Sequence, residues 1–359
     1  MEVIIVDKKM SDKDIAKQEG HFFSSEEIRI LESDADVYYY DEVTKDKKLL
    51  LKFRKNVIPE KYCDLLVKCK LAAQPSRRPS AGGIPENEPK YKYQESKSSG
   101  SDLYVLTNQK KSNSGVVGYY DSTSNFGHVH REEGDEKKCR LTAYTAKHID
   151  LFNESLLPAF QFVDKIYETL VPEYYVIQKE SIDKIADEFK IQNTIFTTVT
   201  VNRNFRTALH CDSGDLKEGF GNLVVVGDNY TGGYTMFPQF GIGVDCRHGD
   251  FLAMDVHQWH CNSEIVGKGM RLSFVFYLRE KMLKKCPYDV KPRRVRYDRK
   301  FLTKFLSDHK LEIEPIVNTG DDIINRDTKI HTICRECKSK VTKSFRAFVS
   351  TKDICTSCL

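Results

Sequence analysis

No stretch of about eighteen uninterrupted apolar residues occurs in the 359-residue sequence, so nothing in it reads as a helix able to span a bilayer. No secretory leader is expected either, because MEVIIVDKKMSDKD turns charged before an apolar core can build up. The protein is therefore expected inside the cell, in nucleus or cytoplasm, and not secreted, with no membrane among its partners. Net charge is small: 56 Lys and Arg against 52 Asp and Glu leave +4, so the chain as a whole is no polycation. Local basic clusters exist, notably KPRRVRYDRK at 291–300, but a solvated charged face explains such a run more often than a phosphate contact does. No internal repeat is visible either.

What the sequence does contain is 11 cysteines, an odd number. In a reducing compartment that count favours unpaired thiols or metal ligands over disulfide staples. A chain of this length with 40% hydrophobic residues can bury a full core, and one large domain with a small appendage is expected.

Residues 1–47 are charged and irregular, which reads as an amino-terminal arm, and LLLKFRKNVIP then reads as the first buried strand of a domain spanning 48–282. IPEKYCDLLVKCKLAA at 58–73 carries Tyr62, Leu65, Leu66 and Cys69 at helical spacing, with Pro59 placed for a first turn. A Pro-, Gly- and Ser-rich loop follows at 74–102, then helices at 151–170 and 181–190. Beyond them the pattern changes to short β-branched and aromatic runs, IFTTVTVN, NLVVVG, YTMFP, IGVDC, DFLAMDV and RLSFVFYL, separated by glycine-rich turns. Regularly spaced short strands of this kind predict an α+β protein: a double-stranded β-helix, the cupin-like jelly roll, with flanking helices. A basic helical linker at 283–329 and a cysteine-rich module at 330–359 complete the expected organisation.

HCD at 210–212 places an imidazole and a carboxylate two residues apart, which in a strand puts His210 and Asp212 on one face. A third ligand must come from a distant strand, and GDFLAMDVHQWHCNS offers His257 and His260. Two histidines and one carboxylate form the facial set of non-haem iron(II) oxygenases, which leaves positions open for co-substrate and O2. H-x-D alone arises often by chance; here a GG turn, a strand ending in His and an Arg on the next strand follow it in order. Arg271 stands eleven positions after His260, where its guanidinium would grip the distal carboxylate of 2-oxoglutarate. Ser273, two residues on and on the same strand face, would add a hydroxyl donor. Asp215, three residues past Asp212, is near enough to touch co-substrate or orient a ligand histidine, but the turn in SGDL is the preferred reading.

VTVNRNFRTALHCDSGDL, GGYTMFPQFGIGVDCRHGDFLAMDVHQWHCNS and RLSFVFYLREKM together resemble the TET and J-binding-protein (JBP) family of nucleic-acid base dioxygenases, over roughly residues 48–282. The resemblance implies an enzyme that uses iron(II), 2-oxoglutarate and O2 to oxidise the 5-methyl group of thymine or 5-methylcytosine in double-stranded DNA. It carries the iron ligands onto His210, Asp212 and His260 and the 2-oxoglutarate arginine onto Arg271. His260 is preferred to His257 because the family's ligand follows an apolar residue as the strand ends, as His260 follows Trp259. A methyl group in a duplex is reached by flipping the base into a pocket, for which Tyr120, Asp121, Arg140, Thr142, Asn202, Asn204 and Arg206 are the expected contacts. A prolyl- or lysyl-type protein hydroxylase shares the same framework, and one branch of the family uses ascorbate as co-substrate; both stay open at this point.

CREC at 334–337 and CTSC at 355–358 make two C-x2-C knuckles seventeen residues apart. Cys334, Cys337, Cys355 and Cys358 thus predict a closed tetrahedral zinc site, structural because no position is left open.

Overall fold

Leu272, Phe274 and Phe276 alternate with Ser273, Val275 and Tyr277 along the strand Leu272–Tyr277, and apart from the half-buried Val275 all are buried. A strand of that composition has to be covered on both faces. In the computed structural model, which describes residues 1–73, 112–121, 139–286 and 328–344 with short pieces at 75–76, 92–93, 104–105, 306–307, 311–313, 347 and 355, each face has its own core. Leu272, Phe274 and Phe276 join Phe160, Val163 and Tyr167 of the helix Leu157–Leu170, and the Phe160 and Phe276 rings meet edge to face at 5.1 Å. Val275 turns the other way, into a core formed by Leu223 and Val225 of the same sheet and Phe237, Ile242 and Val244 of a second one.

The main sheet has ten strands. Along its path run Glu2–Val6, Ala35–Tyr40, Lys47–Arg54, Phe251–Met254, Gly221–Val226, Leu272–Tyr277, Thr198–Arg203, Ser112–Asp121 and Pro75–Ser76, with Cys139–Leu141 paired to Ser112–Asp121 off the path. The facing sheet is Cys261–Asn262, Thr235–Phe237, Ile242–Val244 and Arg29–Leu31. Two sheets enclosing an apolar filling, with antiparallel pairs at the centre and helices outside, form a jelly-roll-type core.

Three features differ from the sequence expectation. Residues 1–47 are not peripheral: Glu2–Val6 pairs in parallel with Ala35–Tyr40, which pairs with Lys47–Arg54, while Arg29–Leu31 extends the second sheet. The charged composition conceals buried Leu31, Ala35, Val37 and Tyr39, and the buried Asp36 is held by Arg54 at 2.7 Å. The helix expected at 181–190 is instead Pro172–Ile182, followed by a single 3-10 turn at Asp187–Phe189. Val171 interrupts the preceding helix and Pro172 opens the new one. Its buried face carries Tyr175, Gln178 and Ile182, and the polar Gln178, donating to the Ile195 carbonyl at 3.0 Å, breaks the apolar stripe that would have betrayed it. Finally, Cys139 and Cys286 are joined, tying the strand Cys139–Leu141 to the end of the helix Lys281–Lys285, whereas Cys63, Cys69, Cys211, Cys246 and Cys261 are free.

The helix Glu60–Val67 stands within 58–73 as expected. Toward the carboxy terminus Leu311–Ile313, Lys329–Cys334 and Lys340–Ser344 form a three-stranded sheet. The loop at 74–102, the basic run at 291–300 and Cys358 lie wholly or mostly outside the described residues. Among the described residues no helix is long and apolar enough to cross a membrane.

Candidate active site

His210 and His260 lie on segments that meet through the main chain: each N–H donates to the other's carbonyl at 3.0 Å. Asp212 N–H is held by the Val256 carbonyl at 3.0 Å, so the H-x-D segment is fixed by backbone bonds although it is no regular strand. Each imidazole sets its Nδ1 on a carbonyl two residues earlier, His210 on Ala208 at 2.7 Å and His260 on Gln258 at 2.9 Å. A carbonyl only accepts, so the hydrogen sits on Nδ1 and the Nε2 lone pair is free in both rings. Those two Nε2 atoms face the two oxygens of Asp212 at 3.7 and 3.8 Å, and the three donor groups lie within 4.8 Å of one another. Burial and the neighbouring His210 push His260 down to about 4, which keeps it neutral. Two imidazoles and one carboxylate are a donor set that fits iron(II).

His257 faces elsewhere. Its Nδ1 and its main-chain N–H both lie on Asp255 Oδ1, at 3.2 and 3.1 Å, and although burial opposes it the Asp255 carboxylate holds His257 above its ordinary pKa. Of the two candidate third ligands, only His260 is in the cluster.

Arg271 precedes the strand Leu272–Tyr277, is 2% exposed, and has no hydrogen-bond partner at Nε or Nη2. Burial depresses its pKa. A buried guanidinium with two open donor groups is strongly destabilising unless an anion meets it, and a carboxylate has the matching shape. Its main chain is clamped by Asn204: the Arg271 N–H donates to Asn204 Oδ1 at 2.6 Å, and Asn204 N–H to the Arg271 carbonyl at 2.9 Å. Ser273 is buried and sits between Asn202 and Val225 in the strand register.

Several expected base contacts are committed to the fold instead. Asn204 holds Arg271 and donates to the Gly269 carbonyl at 2.9 Å. Arg206 donates to the Phe23 carbonyl at 3.0 Å and lies over the Phe22 ring, so it anchors the amino-terminal segment. Thr142 caps the helix Ala143–Lys147. Asp121 is buried in ion pairs with Arg279 and Lys285, and Arg140 stands opposite Tyr120 in the strand pairing.

The residue that sequence reasoning missed is Arg279. It follows Arg271, Ser273, Val275 and Tyr277 at intervals of two, and that period was the available signal. Its guanidinium lies 3.9 Å from the Tyr120 ring centroid, and its Nη2 has no partner. A main-chain bridge joins it to Asp215, whose Oδ2 is likewise buried and unpartnered. Burial, reinforced by Asp212 and opposed by Arg279, raises the Asp215 pKa well above the carboxylate range. Asp215 is therefore more than a turn residue.

Two other groups have metal-like spacing. Glu60, Cys63 and His248 converge, but His248 Nδ1 accepts from Gly227 N–H at 3.0 Å, so its hydrogen is on Nε2, facing Glu60 at 3.0 Å, and no lone pair is left toward the cluster. Cys334, Cys337 and Cys355 also converge, with the last two sulfurs 3.5 Å apart.

Residues 119–280 match the family model for the Tet_JBP oxygenase domain of the 2OGFeDO superfamily. The chain is 34% identical over 168 residues to the bifunctional helicase and thymine dioxygenase JBP2 of Leishmania infantum, covering 46% of this chain and 14% of that protein. It is 33% identical over 172 residues to the thymine dioxygenase JBP1 of Trypanosoma brucei brucei, covering 46% and 19%. The chain thus spans less than a fifth of these relatives' length. Among solved structures, NgTET1 in complex with 5mC DNA aligns with a TM-score of 0.47 at 13% identity, over 77% of this chain and 94% of that one. Residues 119–280, the segment that contains His210, Asp212, His260, Arg271 and Arg279, are thus similar to the Tet_JBP oxygenase domain.

Proposed function

We propose that the protein is an iron(II)- and 2-oxoglutarate-dependent dioxygenase that hydroxylates the 5-methyl group of a pyrimidine, thymine or 5-methylcytosine, in DNA. The observation that carries this reading is the pairing of two features: the convergence of His210 Nε2, His260 Nε2 and the Asp212 carboxylate, and the buried, open guanidinium of Arg271. Bound iron supplies O2 activation, with 2-oxoglutarate as the reductant. His210, Asp212 and His260 hold the metal, and Arg271 holds the distal carboxylate, assisted by Ser273. Asp215, a carboxyl that holds its proton and so can both donate and accept, and Arg279, with an open donor, complement the mixed pairing edge of a pyrimidine turned out of the helix, and Tyr120 keeps the guanidinium in place. The names of the two trypanosomatid relatives, both thymine dioxygenases, support a DNA base over a prolyl or lysyl side chain as substrate.

For the carboxy-terminal module the reading is a zinc ribbon held by Cys334, Cys337, Cys355 and Cys358, three of which support it by their proximity. So small a unit buries little core, and metal binding would supply its folding free energy.

The decisive experiment incubates the protein with iron(II), 2-oxoglutarate and duplexes containing thymine or 5-methylcytosine, then digests them to nucleosides for mass spectrometry. A hydroxymethyl product from either base is expected. Succinate formation stimulated by peptides and not by DNA would transfer the reading to a protein hydroxylase, and product formed with ascorbate in place of 2-oxoglutarate would reassign the co-substrate.

A further inference from the structure

Tyr230, on the short strand Tyr230–Gly232, packs its ring against the core between the two sheets, with the Arg247 guanidinium 4.8 Å from the ring centroid. Its hydroxyl is buried and has no hydrogen-bond partner at full ordinary geometry; the guanidinium groups of Arg271 and Arg247 approach its oxygen as donors, which leaves its own O–H without an acceptor. Arg247 is neutralised by contact with Asp245, whereas Arg271 has no carboxylate partner among the described residues. Three donors are therefore left open beside one another: Nε and Nη2 of Arg271 and the hydroxyl of Tyr230. Each uncompensated buried donor destabilises the ligand-free protein, so their grouping marks a place made for an anion. A carboxylate, with two oxygens and about four lone-pair directions, can satisfy all three together. The ring is already fixed by strand pairing to Gly267 and by Arg247, so the hydroxyl is presented with little further ordering.

We propose that Tyr230 donates its hydroxyl to the distal carboxylate of 2-oxoglutarate, beside Arg271, and so selects a dicarboxylic over a monocarboxylic 2-oxo acid. The inference rests on the co-substrate reading given above. The test uses iron(II)-loaded protein under nitrogen and measures the equilibrium affinity for 2-oxoglutarate and for pyruvate, which lacks the distal carboxylate, in wild type and in Tyr230→Phe. Loss of one hydrogen bond to a charged group is expected to weaken 2-oxoglutarate by roughly tenfold and to leave pyruvate unchanged. The ligand-free thermal midpoint of Tyr230→Phe should equal or exceed that of wild type, because the deleted hydroxyl has no partner there. Equal 2-oxoglutarate affinity in the two proteins overturns the assignment of Tyr230 while leaving the co-substrate reading standing. An equal loss for pyruvate overturns the selectivity. A wild type that binds no 2-oxoglutarate overturns the co-substrate reading itself, and the assignment with it.

Discussion

Gly233 leaves the space that the side chain of Arg271 occupies: a Cβ on Gly233 would stand 2.9 Å from both Cδ and Nε of Arg271. Gly233 also has φ +70°, a region that L side chains enter at a penalty. Gly233→Ala should therefore cost about 1–2 kcal/mol of stability from the backbone alone, and displace the guanidinium besides. Denaturant unfolding and anaerobic 2-oxoglutarate binding check the two effects separately. If both are unchanged, Arg271 does not lie against this turn.

Arg271 itself should show opposite effects on stability and binding. Removing a buried cation whose Nε and Nη2 are open relieves its desolvation penalty, so Arg271→Met is expected to leave the ligand-free protein as stable as wild type or more stable by about 1–2 kcal/mol. The same substitution should abolish the stabilisation that 2-oxoglutarate confers on wild type. A large loss of ligand-free stability would mean that Arg271 is an ordinary structural cation.

The two candidate histidines are separable by metal content. His260→Ala removes a free Nε2 from the cluster, and iron stoichiometry should fall close to zero; His257→Ala removes a group turned toward Asp255, and iron should be retained. Retention in the first and loss in the second would reverse the ligand assignment.

How much of this was legible in the sequence depends on where each residue finds its partner. The strands around Val224, Phe251 and Phe274 announce themselves because burial on both faces demands continuous apolar runs, and His210-x-Asp212 is a local pattern. Asn204, Arg206 and Thr142 were expected in a base pocket, and their actual partners, at Arg271, Phe23 and Thr145, are main-chain groups that no composition reveals. Glu2–Val6 was hidden for a related reason: an edge strand exposes Val3 and Ile5 and buries only Ile4, so it carries no clean alternation of buried and polar positions. Arg279 was readable in principle from its even spacing to Arg271, but the Asp121 and Tyr120 that make it significant come from a strand about 160 residues earlier.

The cysteine module gives a prediction about metal removal. One zinc per chain is expected, and a chelator should release it and deprotect the amides of Lys329–Cys334 and Lys340–Ser344 in hydrogen exchange. The iron site should be unaffected when loaded afterwards, since the two clusters share no ligand. Protection that survives the chelator would show that these strands fold without metal.

The pH dependence of stability should carry the mark of Asp164, which lies on the helix Leu157–Leu170, far in sequence from the metal cluster. Burial raises its carboxyl from 3.8 to about 6, against the opposing effect of hydrogen bonds from Ile195 N–H at 2.8 Å and Tyr175 at 2.9 Å. The folded protein thus holds this proton more tightly than the unfolded chain. Its contribution to stability is fully present below about 4 and is lost as pH rises through about 6, a change of about 3 kcal/mol at most. Asp164→Asn keeps an acceptor for Ile195 N–H and can donate to the Tyr175 oxygen, yet carries no charge at any pH. The stability of Asp164→Asn relative to wild type should therefore climb between pH 4 and pH 7 and stay flat above. A difference between the two proteins that does not vary with pH would place the Asp164 carboxyl at an ordinary value in the folded state.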